Sequence, residues 1–232
     1  MFDQFDFLDL THKITSEIPT WSGCCGFSHE IKRDYDTGIR ILKYSMHGSC
    51  GTHIDAPSHF IQNGRTVANL TLEELIVPFR VINVSKKREP NLQIDLKAIL
   101  NHENEYGNIE KNTFVIGYTG WGRFWSDPQK YRNPQIDGSL LFPTFSIEAA
   151  SYLVEKNISG IGIDTLSPDP YVGDHPVHRL LLGMDKYIVE NLANLENLTS
   201  MKGYVIIMPL KIDVGAEASC RIIALTKKEG YE

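Results

Sequence analysis

The chain has 232 residues, 42% of them hydrophobic and 22% charged. That is enough apolar material to bury a sizeable core in a single domain spanning 1–232, and too much for a disordered or fibrous chain. Its 23 Lys and Arg against 29 Asp and Glu leave a formal charge of −6, and no basic run exceeds Lys86-Lys87-Arg88, which argues against nucleic acid or an anionic membrane surface as a partner.

The opening MFDQFDFLDL sets Asp3, Asp6 and Asp9 among aromatics, the reverse of the cationic start of a secretory signal. No apolar run approaches the roughly 20 residues of a membrane span. The four cysteines are Cys24, Cys25, Cys50 and Cys220. The adjacent pair would bridge only through a strained ring, so reduced thiols and a cytoplasmic setting are expected.

In chain order, the pattern predicts a helix over Leu72–Ile76 behind Thr71, a strand over Phe79–Val84, a helix over Leu96–Glu103 and a strand over Thr113–Tyr118. A helix over Ser146–Asn157 follows, with Ser146 as its cap and Ala149, Ala150 and Leu153 at core spacing. A strand over Gly160–Ile163, a short helix over Val177–Leu182, and strands over Lys186–Glu190 and Tyr204–Ile212 complete the series. A helix returning to a buried strand near 160 is the αβ half of a layered α/β fold. No fixed-period repeat or low-complexity tract is present.

The chemistry concentrates between His47 and His59, where three imidazoles and the carboxylate of Asp55 fall within thirteen positions of a chain holding eight histidines. In extended backbone, residues two apart share a face, so His53 and Asp55 point together, with Gly51 and Ser49 further back along that face. Such a pair grips a divalent ion, and Gly51 leaves room beside it. Pro57 turns the strand, which sets His59 past the turn as a proton carrier rather than a ligand. Strict alternation sends Cys50 to the opposite, core face. His12, His29 and His102 are read as structural.

Gly51-Thr52-His53-Ile54-Asp55-Ala56-Pro57-Ser58-His59-Phe60 resembles the HxGTHxDxPxH signature of the metal-dependent cyclase-like hydrolases, the family that includes bacterial kynurenine formamidase and isatin hydrolase. The resemblance covers nearly the whole chain. Pro19-Thr-Trp21-Ser-Gly, Tyr118-Thr-Gly-Trp121, Gly162-Ile-Asp164-Thr-Leu-Ser167 and Pro209-Leu-Lys-Ile212 match further landmarks of that family in the same order.

The resemblance implies an α/β fold of swivelling β/β/α type, with a central barrel-like mixed sheet, flanking helices and association into a homodimer or higher homo-oligomer. It implies a small-molecule substrate, a metal site of His53, Asp55, His178 and Glu190 holding one or two Zn2+ or Mn2+ ions, and His59 as the catalytic acid and base. His178 then stands at a loop or helix start and Glu190 on a following strand. Trp21 is expected at the substrate, with Trp121 and Trp125 either extending that aromatic wall or packing in the core. The activity implied is hydrolysis of a small aromatic amide.

One departure stands out. The family carries a metal-binding histidine four residues before His53, where this chain has Ser49, and a hydroxyl is a poor substitute for imidazole. Three arrangements answer it. His47 swings in across a bulge at Gly48-Ser-Cys-Gly, Ser49 or water fills the position, or the first metal position is weakened and one ion remains between Asp55, His178 and Glu190. The departure also admits a fold-retaining metal- or ligand-binding homologue with little or no catalysis.

Overall fold

Residues 2–23, 26–198 and 202–228 are described in a computed structural model of the chain, and the Cys24-Cys25 pair lies outside them. The first half contributes strands β1 (Phe5–Asp9), β2 (Ser28–Arg33), β3 (Ile41–Ser45), β4 (His53–Asp55), β5 (Ile76–Asn83) and β6 (Gln93–Ile94), with helices α1 (Leu72–Leu75) and α2 (Leu96–Tyr106). The second contributes β7 (Phe114–Tyr118), α3 (Pro128–Arg132), β8 (Thr144–Phe145), α4 (Ile147–Glu155), β9 (Gly160–Ile163), α5 (Pro176–Gly183), β10 (Tyr187–Glu190), β11 (Lys202–Pro209) and β12 (Glu217–Lys227).

Strands β5, β7, β9 and β10 pair in parallel, and β11, β12, β1 and β4 join antiparallel. The sheet closes because β4 pairs with β10 on one side and with Glu217–Ser219 of β12 on the other. The result is a closed seven-stranded mixed barrel with β1 beside β12 and helices flanking it, the architecture implied by the family resemblance.

The buried parallel strands read as unbroken apolar runs because both of their faces are covered. Phe114 and Ile116 of β7 and Val189 of β10 belong to one core with Ile54, Val205, Ile207 and Ile222. The alternating Val115 and Ile188 join a second core with Ile99 of α2, Ala149 and Leu153 of α4, and Val177 and Leu181 of α5. One face therefore fills the barrel and the other seats the helices. Gly162 on β9 is needed for the close approach, since a Cβ there would lie 2.6 Å from the Phe114 ring and 2.7 Å from Leu192.

Helix starts follow their caps. Thr71 and Glu74 form a capping box at α1, Asp95 accepts from the Ala98 N–H at α2, and Ser146 accepts from the Ala149 N–H at α4. Ile76 opens β5 instead of closing α1, because it pairs with Ile206 of β11. Strand β11 ends at Pro209, since Leu210 to Ile212 turn locally through an Ile212 N–H to Leu210 carbonyl bond. The sequence pattern predicts none of strands β1 to β4, β6, β8 and β12 or helix α3, although β4 has the extended backbone expected at His53 and Asp55. Among the described residues, no helix is long and apolar enough to cross a membrane.

Candidate metal centre

The site is assembled on β4 and its two neighbours. Residues directly opposed across a sheet share a face, and in this register Glu190 of β10 lies opposite His53 while Glu217 of β12 lies opposite Asp55. His178 enters from the first turn of α5, where Pro176 starts the helix. Thus two histidines and three carboxylates line one cavity of about 380 Å³.

Both imidazoles have a fixed orientation. The Nδ1–H of His178 donates to Asp169 Oδ2 at 2.7 Å, and that of His53 donates to the Gly51 carbonyl at 3.0 Å. A carboxylate and a carbonyl only accept, so each ring is left with Nε2 facing the site. Nε2 of His53 stands 3.5 Å from Asp55 Oδ1 and 3.3 Å from Glu190 Oε2. Nε2 of His178 stands 3.5 Å from Asp55 Oδ2 and 3.4 Å from Glu190 Oε1. Each carboxylate therefore offers one oxygen to each imidazole.

These separations exceed ordinary hydrogen bonds. Each imidazole–carboxylate pair lies near the roughly 3.4 Å that separates two ligands of one ion with bonds of about 2.1 Å, the two imidazoles facing different oxygens of Asp55 and Glu190. Asp55 is 1% exposed, and its Oδ1 is buried with no hydrogen-bond partner. A buried carboxylate oxygen without a partner is costly unless a cation completes it. The donor set fits a divalent metal.

The electrostatics agree. Burial alone would lower the pKa of His53, but Asp55, Glu190 and the Gly51 carbonyl outweigh it and push the value up to about 10. Burial opposes the charged form of His178 as well, yet Asp169, Asp55 and Glu190 hold its pKa well above the usual imidazole range. For Asp55 burial is again the largest opposing effect, overcome by His53 and His178, and the carboxyl is held low. Without a metal, protons on the imidazoles take the cation's place.

Asp169 was missed by sequence reasoning. It accepts from the backbone N–H groups of Val177 and His178, at 2.9 and 2.8 Å, as well as from the His178 ring. It thus caps α5 and aims His178 together. Glu217 and His175 were also missed. Ligand-capable atoms lie within 4.8 Å of one another in three groups among the described residues: Asp55, His59 and His178; Asp169, His175 and His178; and His53, Asp55 and Glu217. The nearness of Asp169 and His175 to His178 along the chain is a signal that was available; for Glu217 no local signal exists.

His59 ends a 3₁₀ turn begun by Pro57, lines the cavity, and faces Glu217 with Nδ1 at 3.9 Å from Oε2. His47 and Ser49 line the same cavity. A Cβ on Gly26 would fall 2.7 Å from His47 Cγ, which puts that ring against the Gly26 loop; neither His47 nor Glu190 enters the three donor groups among the described residues, but Glu190 pairs with His53 and His178 at 3.3 and 3.4 Å.

The strand alternation expected behind His53 stops at once. Gly51 has φ +72°, a left-handed turn position, so its role is to turn the chain rather than to leave space beside an ion. Cys50 is buried as expected but lines the cavity as well.

Trp21 is 37% exposed and forms part of the cavity wall, with ring centroids 4.7 Å from Tyr171 and 6.0 Å from His175. Trp121 and Trp125 do not extend that wall. Trp121 donates to the Tyr131 carbonyl within a separate core, and Trp125 stacks on His12 at 3.8 Å.

The profile of the Cyclase family, described as "Putative cyclase", matches residues 8–170. A kynurenine formamidase of Bacillus thuringiensis subsp. konkukian is 28% identical over 210 residues, 89% of this chain and 91% of that protein. An isatin hydrolase of Roseibium aggregatum is 30% identical over 190 residues, 77% of this chain and 72% of the other. Among solved structures, isatin hydrolase A from Labrenzia aggregata bound to benzyl benzoate superposes with a TM-score of 0.89 at 30% identity, covering 97% of this chain and 95% of that one. An isatin hydrolase bound to the product analogue thioisatinate superposes with a TM-score of 0.90 at 25% identity, covering 97% and 94%. With its profile match spanning most of the length and its barrel superposing on these enzymes, the chain belongs to the Cyclase family.

Proposed function

We propose that this protein is a metal-dependent amidohydrolase that cleaves the C–N bond of a small aromatic amide, with His53, Asp55, His178 and Glu190 holding one or two Zn2+ or Mn2+ ions. The observation that carries this reading is the pair of buried imidazoles, each 3.3–3.5 Å from both Asp55 and Glu190. The names of the relatives, kynurenine formamidase and isatin hydrolase, support amide hydrolysis as the reaction class.

A divalent ion at these donors supplies a water acidified toward a pKa of about 7 and polarises a carbonyl. The remaining work falls to the chain. Asp169 and the Gly51 carbonyl keep both rings turned with Nε2 inward. A ring nitrogen of His59 lies within 4.8 Å of donor atoms of Asp55 and His178, placed to take the proton of the attacking water as the C–O bond forms. The same nitrogen returns that proton to the leaving nitrogen as the C–N bond breaks, so acid and amine leave in balance.

The cavity of about 380 Å³ is the size of a small-molecule site. Trp21 offers a flat, half-exposed face to an aromatic ring. The net charge of −6 supports a partner list without nucleic acid. The buried Cys220 thiol, unbridged among the described residues, supports a reducing, cytoplasmic setting. The exposed Ile31, Ile41 and Tyr44 of the β2–β3 hairpin support self-association into a homodimer.

The test is turnover. Protein stripped with chelator and reloaded with Zn2+ or Mn2+ is expected to hydrolyse an aryl formamide or isatin, and stripped protein to be inert. Equal rates with and without metal would overturn the reading.

A further inference from the structure

Three features of the cavity wall remain unused by the reaction just described. Glu217 is about a quarter exposed and, among the described residues, has one ion pair, the 3.9 Å approach to His59 Nδ1, with no hydrogen bond to hold its carboxylate. Its place on β12 puts it directly opposite Asp55, just as Glu190 stands opposite His53 on the other side of β4. The loop carrying Ser49 rests on it, because a Cβ at Gly48 would lie 2.8 Å from the Glu217 carbonyl oxygen and 3.0 Å from its Cβ.

Resting on the metal reading above, we infer that Glu217 is a metal ligand of this chain, forming with His53 and Asp55 the divalent-cation position left incomplete by Ser49. Donor atoms of the three residues lie within 4.8 Å of one another. Asp55 Oδ1, buried and without a hydrogen bond among the described residues, marks the point where the cation binds. Ser49 and Glu217 border one cavity, so a carboxylate from the neighbouring strand replaces the donor that a hydroxyl supplies poorly. Exchanging an imidazole for a carboxylate hardens the donor set and suits Mn2+ better than two imidazoles and one carboxylate would.

Metal binding itself is the test, read by calorimetry and by the electron paramagnetic resonance of free Mn2+ in titrations of wild type, Glu217→Gln, Glu217→Asp and Asp55→Asn. The expected result is that Glu217→Gln weakens Mn2+ at least tenfold or removes one equivalent, that Glu217→Asp weakens it less, and that both melt like wild type when stripped of metal. Affinity and stoichiometry within twofold of wild type in Glu217→Gln would overturn the inference while leaving the metal reading intact. The same holds if that substitution moves only the pH profile of turnover, which would make Glu217 a positioning partner of His59. Should Glu217→Gln fail to fold, Glu217→Asp decides, with undiminished binding overturning the inference. Wild type that takes up neither Mn2+ nor Zn2+ would overturn the metal reading, and this inference with it.

Discussion

Asp169 holds His178 from two sides, accepting from its ring Nδ1–H at 2.7 Å and from its backbone N–H at 2.8 Å. One buried carboxylate therefore sets both the start of α5 and the direction of the imidazole. Asp169→Asn replaces one acceptor oxygen with an NH2 group that cannot satisfy these donors. Metal affinity, measured by calorimetry, is expected to fall roughly 10- to 100-fold, with a loss of about 1–3 kcal/mol in stability by denaturant unfolding. Unchanged affinity would mean that the orientation of His178 does not depend on Asp169.

Among the described residues, His59 has no ring hydrogen bond of the kind that fixes His53 and His178. His59→Ala is expected to keep the fold and the bound metal but lose about 10²- to 10⁴-fold in kcat. A variant that lost metal in proportion to activity would make His59 a ligand, and full activity would remove it from the reaction.

The metal-free protein should lose stability as pH rises. The pKa of His53 is raised from 6.5 to about 10 in the folded state, because Asp55 and Glu190 outweigh burial. A raised folded-state value stabilises fully below the unfolded pKa, and that contribution disappears as pH climbs through the folded one. Thermal melts in chelator are expected to fall between about pH 6.5 and 10. Metal affinity should rise over the same interval, because the cation displaces the imidazole protons. A melting temperature that increases across this interval would contradict the assignment.

Trp21→Ala removes the flat cavity wall while leaving the metal donors in place. KM for an aromatic amide is expected to rise about tenfold or more, with a smaller change in kcat. An unchanged KM would return Trp21 to a purely structural role.

What the sequence revealed depended on distance along the chain. His53, Asp55 and His59 lie within one short segment, so density and alternation exposed them. His178 and Glu190 needed the family resemblance, since Glu190 meets His53 only through the β4–β10 register and His178 enters from the start of α5, held by Asp169. Glu217 had no such signal: a lone carboxylate at the start of β12 acquires its meaning only when that strand closes the barrel against β4.

Strands β2 and β3 form an exposed hairpin with no core face, and apolar patterning has nothing to register there. Gly51 shows the opposite failure. A regular pleat does not run back through Gly51, which turns with positive φ, so the faces assigned to Ser49 and Cys50 could not be carried back from His53.

Elemental analysis paired with melting of wild type and Asp55→Ala tests most directly whether His53, Asp55, His178 and Glu190 hold a divalent cation. After chelation, reloading with Zn2+ or Mn2+ and removal of excess, wild type should retain about one to two equivalents and melt higher than the stripped protein. Asp55→Ala should retain little and gain no melting temperature from added metal. Equal retention by the two proteins, or none by wild type, would contradict the account.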